Sequence, residues 1–298
     1  MMKTLIKLVS VSALALSMNY TWADAALDKI KESGVLNVAL YKDFPPYSYV
    51  ENGKQIGIDV DIAKALAEKL AVNVSIRMVG ADETMSDDLR NNIWKGHYLG
   101  GGVADVMLHA PYDRDYAKHE DMVAFVGPYQ LEKIVFAVNT ERLGSDPTIA
   151  SFVDAPVGVE VDTLSDFYLL QAVNGKVAER LKHYKSNSEA VAALKSGEVA
   201  AVMAPRGELE GLLIGAPSTL QVLDLVTPGL SRSSWAMGAA VKARNEDLAK
   251  VVDKSMGDLV KEGKIRDIFA KYKVAYNAPA LPPIASVEDD NDGKPNKP

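Results

Sequence analysis

The sequence predicts an α/β fold. Short runs rich in β-forming residues alternate with stretches whose apolar positions recur every three or four residues, and Gly-rich or Asn-Gly breaks separate them. The 298-residue chain can bury one large core or two moderate ones, and the order of its motifs favours two.

The N-terminus carries Lys3 and Lys7, an apolar run over 8–18 and small residues at Ala23 and Ala25, the three parts of a cleavable secretory signal over residues 1–25. The run is too short to span a bilayer, which takes about 20 apolar residues. Residues 35–41 (VLNVALY) read as a buried strand. Pro45 and Pro46 then cannot donate to a ladder and hold Phe44 and Tyr47 on a stiff loop, where aromatic rings make good stacking walls. Asn52-Gly53 between 47–50 and 55–58 predicts a hairpin. Asp59 is placed to cap a helix with Ile62, Ala63, Leu66 and Leu70 on one face.

Residues 72–79 and 105–108 predict a second and a third strand. Between them, 90–94 suits a helix that Gly96, Gly100, Gly101 and Gly102 break into a loop. Residues 157–161 form a strand running into the polar turn Asp162-Thr163-Leu164-Ser165 and a helix to Val173. A capped helix over 187–195, stopped by Gly197, precedes a strand over 199–203. Residues 235–241 predict the last strand, and Asn245 caps a helix that buries Leu248, Val251, Val252, Met256 and Leu259. Beyond Asn277 the chain is rich in Pro, Asp, Asn and Lys, which predicts disorder. Asp290, Asp292 and Gly293 faintly suggest a calcium loop, but the Glu of its twelfth position is missing.

Composition narrows function. There is no cysteine, so disulfides, thiolate metal sites and cysteine nucleophiles are excluded. A net charge of -7 without a basic cluster argues against nucleic acid. His97, His109 and His119 raise a metal site only weakly, since no short-range ligand pair exists, and no metal or other cofactor is expected. No G-x-S-x-G elbow or nucleophile-base pair is visible, so a catalytic site is not expected.

Phe44, Pro45, Pro46, Tyr47, Gly53, Gly57 and the run from Asp59 through Val60, Asp61, Ile62, Ala63 and Lys64 to Ala65 resemble the opening motif of the family 3 extracellular solute-binding proteins, the polar-amino-acid group that feeds ABC importers. Gly127-Pro128-Tyr129 followed by 133–138 is similar to that family's crossing segment, which places the first crossing near 128–134, and 264–272 resembles its closing helix. The resemblance implies a two-lobed, periplasmic-binding-protein-like (type II) fold with a hinge and central cleft. Residues 26–130 and 234–276 would form lobe 1, 131–233 lobe 2 and 277–298 a disordered tail. It implies a monomeric periplasmic receptor that closes on a small polar, carboxylate-bearing ligand (an amino acid or an organic acid) and passes it to an inner-membrane ABC permease.

The resemblance also implies a ligand site. Arg114 stands where the family's arginine grips the ligand carboxylate, a task suited to a planar guanidinium. Thr163 and Ser165 stand at the family's carboxylate-binding turn, with Asp162 in place of its glycine. Phe44 and Tyr47 would sandwich the ligand, with Asp43 and His109 at strand exits beside them. Where amino-acid binders place an Asp for the ammonium, this chain has Pro205-Arg206. An ordinary α-amino acid is therefore disfavoured, and an inward Arg206 would favour an anion, an outward one a surface role. Two other functions remain open: an accessory protein that keeps the fold but binds a periplasmic quinoprotein dehydrogenase or another protein, and a dehydratase-like enzyme using cleft carboxylates.

Overall fold

The computed structural model describes residues 25–279. Residues 1–24 of the expected signal segment and the tail from residue 280 onward, with Asp290, Asp292 and Gly293, lie outside the described residues. Eleven strands and ten helices follow one another in the described chain. The first portion holds α1 (Ala25–Ser33), β1 (Val35–Tyr41), the hairpin β2 (Tyr49–Glu51) and β3 (Lys54–Ile56), α2 (Ile58–Lys69), β4 (Asn73–Val79), α3 (Met85–Leu89), β5 (Val106–Pro111) and α4 (Arg114–Ala117). The long β6 (Val123–Asn139) leads to α5 (Thr140–Leu143), β7 (Val157–Glu160), α6 (Leu164–Gln171), β8 (Leu181–Tyr184), α7 (Asn187–Lys195), β9 (Ala201–Pro205), α8 (Arg206–Leu212) and β10 (Leu220–Leu223). Finally β11 (Ser234–Lys242), α9 (Glu246–Lys261) and α10 (Lys264–Lys271) complete the chain.

The strands form one nine-stranded mixed sheet in the order β4-β1-β5-β11-β6-β9-β7-β8, with β10 also on β6. β1 runs parallel to β4 and β5, and β7 runs parallel to β8 and β9. β6 joins the two groups because its halves have different neighbours. Val123 to Lys133 pairs antiparallel with β11, whereas Ile134 to Val138 pairs with β9. The chain therefore crosses between two lobes along β6 and again along β11.

Each lobe is covered on both faces, as strands joined by helical crossovers require. In the first, Leu36, Val38 and Leu40 of β1 pack against α2, α9 and α10, while Ala39 faces Leu89, Ile93 and Phe125 on the other side. In the second, Phe136 and Val138 pack with Phe152 and Leu169, while Val135 and Ala137 meet Val191, Leu194 and Leu209 of α7 and α8. This alternation is the period of two expected of a strand buried on both faces, and each large side chain so buried contributes ~1.5–3 kcal/mol.

The local expectations meet their physical causes here. Asn52 and Gly53 take positive φ values of 51° and 74°, the conformation a two-residue hairpin turn needs. The 90–94 segment is helical, but as a π-type turn continuing α3. Asp59, by contrast, does not cap α2. The helix begins one residue before it, behind Gly57, and the Asp59 side chain points into the core. Gly57 has φ 131°, and a Cβ there would collide with the Tyr47 carbonyl, which is why the chain can turn so tightly into the helix. Among the described residues no helix is long and apolar enough to cross a membrane.

Candidate functional site

The carboxyl ends of β1, β7 and β9 point toward the gap between the lobes, where ligands of open α/β sheets collect. A cavity of about 400 Å³ lies there. Lobe 1 supplies Asp43, Phe44 and Pro45 from the loop after β1, and the crossing strands supply Ile134 and Trp235. From lobe 2 come Glu160 at the end of β7, Thr163 to Ser165 at the start of α6, Ser186 to Ser188 at the start of α7, and Pro205 and Glu208 around the start of α8.

Two helix N-termini therefore open onto one space. The Thr163 hydroxyl caps α6 by accepting from the Asp166 N–H, and Ser186 caps α7 by accepting from the Glu189 N–H. Further first-turn N–H groups have no partner within their helix, and with the helix dipole they favour negative charge. The charged side chains lining the cavity are nevertheless all acidic: Asp43, Glu160 and Glu208. Asn187 ties two of them together. Its backbone N–H donates to Glu160 Oε2 at 3.0 Å and its side-chain amide donates to Glu208 Oε2 at 3.0 Å. Burial lifts the Glu208 carboxyl to about 8, with the charges of Glu160 and Glu132 adding to the rise and Asn187 opposing it. Burial also raises Glu160, against the bond from Asn187.

Of the residues expected from sequence, Asp43, Phe44, Thr163 and Ser165 come together at this cavity. Five others do not. Tyr47 is 1% exposed and lies behind the cavity, its hydroxyl donating to Glu132 and accepting from Gln130 Nε2, while its ring stacks on Phe44 with centroids 5.1 Å apart. The stiff loop does present two aromatics, but only Phe44 faces the opening. His109 is buried against both rings, and its Nδ1 lies 3.0 Å from Asp59 Oδ2. Tyr129 donates to the other Asp59 oxygen at 2.9 Å, so these three residues form a closed core network.

Arg114 is exposed at the start of α4 and does not line the cavity. Asp113 caps that turn and binds Arg232 at 2.7 Å, which leaves Arg114 on the solvent side, so no arginine clamp is assembled. Asp162 is likewise exposed, with φ 60°, and its N–H donates to Asp166. Arg206 turns away from the cavity and pairs with Glu210 at 3.2 Å one helical turn on, the outward alternative.

Sequence reading missed Glu160, Asn187, Glu208 and Trp235. It sought a carboxylate at position 205, whereas the structure supplies one three residues later. A signal was present: a helix starting at Pro205-Arg206 brings residue 208 onto its inner face within one turn.

Comparison with known proteins agrees with this architecture. Residues 36–94 match the model of the bacterial extracellular solute-binding proteins, family 3. The L-cystine-binding protein TcyJ of Escherichia coli (strain K12) is 26% identical over 250 residues, covering 84% of this chain and 86% of that protein. The cyclohexadienyl dehydratase of Pseudomonas aeruginosa is 40% identical over 73 residues, only 24% of this chain and 27% of the enzyme. Among solved structures, the ancestral cationic amino acid solute binding protein AncCDT-1 superposes with a TM-score of 0.66 at 21% identity, covering 84% of this chain and 100% of that one, a likeness of fold.

Proposed function

We propose that this chain, whose residues 36–94 match the family 3 bacterial extracellular solute-binding proteins, is a periplasmic receptor that binds a small amino-acid-type solute between its lobes and delivers it to an ABC permease. The observation that carries this reading is the cavity itself, built from both lobes and from both crossing strands, so that a guest touching Phe44 and Ser165 together favours the closed arrangement. The lobes are taken as residues 26–130 with 234–276, and 131–233, a division supported by the crossings along β6 and β11.

The cavity also suggests how a zwitterion would lie. Its carboxylate belongs at the N-terminus of α6, and its cationic end belongs on the acidic wall that Glu160 and Glu208 form around the start of α7. This replaces the arginine clamp expected from sequence and lifts the objection to amino acids raised by the missing residue at 205. TcyJ is named for an amino acid, and this supports the same ligand class. The reading is of binding, not catalysis, since the dehydratase likeness stops at a quarter of the chain.

A thermal-shift panel of L-amino acids, diamines and dicarboxylates tests it. A ligand at 100 times its Kd stabilises by about 2.7 kcal/mol. A panel in which nothing raises the melting temperature sinks the proposal.

One observation favours the accessory-protein reading. Tyr98 and Leu99 are 87% and 77% exposed on the Gly-rich loop after α3, as a docking surface would show. Copurification with a quinoprotein dehydrogenase, lost in a Tyr98→Ser/Leu99→Ser variant, would support it.

A further inference from the structure

The acidic wall of the cavity has an unusual member. Glu208 is 9% exposed, lies on the inner face of α8, and has only one of its two carboxyl oxygens bonded: Oε2 accepts from Asn187, and Oε1 has no hydrogen-bond partner among the described residues. The groups facing it are of one sign or neutral. Glu160 approaches from β7, Glu132 from β6 and the Asn187 amide from α7, while Asp43 lines the same cavity from lobe 1. The neighbouring cation, Arg206, is occupied by Glu210.

A buried carboxyl among carboxylates keeps its proton, and it gives that proton up when a cation arrives. We propose that Glu208, joined to Glu160 through Asn187, is the element that selects the ligand: it takes a protonated amine or guanidinium and releases its own proton in exchange. The O–H bond of Glu208 breaks, the proton leaves to bulk buffer, and the net charge inside the cavity is unchanged. A dicarboxylate without an amine obtains no such exchange and meets Asp43, Glu160 and Glu208 unpaired. The inference rests on the reading of the cavity as the ligand site and adds the ligand's charge and its proton linkage.

The free carboxyl sits at about 8, and a cation that binds only the ionised form gains about fiftyfold in affinity between pH 6 and pH 8. Two experiments test this. In the free protein, a carboxyl 13C titration, with the Glu208 signal identified by its loss in Glu208→Gln, is expected to show Glu208 titrating above neutrality. Titration in the ordinary carboxylate range overturns the proposal. Calorimetry with L-arginine, 1,4-diaminobutane and glutarate at pH 6 and pH 8, in buffers of different ionisation enthalpy, is expected to show cations preferred, tightening with pH, and a proton released on binding at pH 6. Glu208→Gln, which retains an acceptor for Asn187, is expected to bind the same cations more weakly at pH 8 and to lose that pH dependence. If glutarate binds as well as the cations and affinity ignores pH, this inference falls while the receptor reading stands; if none of the three binds at either pH, both fall.

Discussion

Removing one hydroxyl from Tyr47 tests whether the ring behind the cavity is a structural tie. Tyr47 is 1% exposed and Glu132 5%, and their hydrogen bond joins the loop after β1 in lobe 1 to the crossing strand β6. Tyr47→Phe keeps the ring against Phe44 and His109 but leaves Glu132 Oε2 with Gln130 Nε2 alone, at 3.2 Å. A buried bond to a carboxylate contributes ~1.5–3 kcal/mol, so the variant should lose about 2 kcal/mol, or roughly 4–8 °C in Tm for a chain of this size. The control has the same chemistry in another setting. Tyr184 donates to Glu198 at 3.0 Å, but that carboxylate is open to solvent, and Tyr184→Phe should cost far less than Tyr47→Phe. Urea unfolding of both variants, compared at equal m-value, measures the difference. Equal losses in the two would refute the argument that burial gives the Tyr47 bond its strength.

Three further outcomes are expected. Glu208 binds a proton in the folded protein between its ordinary 4.5 and about 8, where the unfolded chain does not, so stability should fall as pH rises through that window, by at most roughly 5 kcal/mol at ~1.4 kcal/mol per pH unit; Glu208→Gln should flatten the Tm profile over that range, and an unchanged slope would show the carboxyl is not the cause. Asp59→Asn should cost about 2–3 kcal/mol in urea, because it disturbs a buried acceptor of Tyr129 and His109, whereas loss of a mere helix cap would cost about 1 kcal/mol. Gly211→Ala would place a Cβ 2.6 Å from Pro46 Cγ, across the contact between the lobe-1 loop and α8. That overpacking should destabilise by ~1–3 kcal/mol or open the lobes, read as a larger radius of gyration by small-angle scattering, and a variant unchanged in both would show that the lobes do not press together there.

The failures of the sequence reading at the site share one cause. Thr163 and Ser165 were legible because a strand, a polar turn and a helix start are local, and the turn faces wherever the strand ends. Arg114 was misplaced because its direction depends on Asp113, whose partner Arg232 lies 119 residues away. Tyr47 and Phe44 are three residues apart on one loop, yet a carboxylate 85 residues on from Tyr47 decides that only one of them meets the cavity.

The alternation of strands and helices, the Asn52-Gly53 turn, the covered faces of β1, α2 and α9, and the likeness of residues 36–94 to the family 3 solute-binding proteins were legible along the chain, since each rests on periodicity, a local motif or backbone preferences over a few neighbouring residues. Which side chains meet was settled by packing in three dimensions. Glu160, Asn187 and Glu208 converge from β7, α7 and α8, and their carboxyls change character because folding removes them from water together. Burial and charge proximity are properties of three-dimensional neighbours, and no local pattern along the chain encodes them.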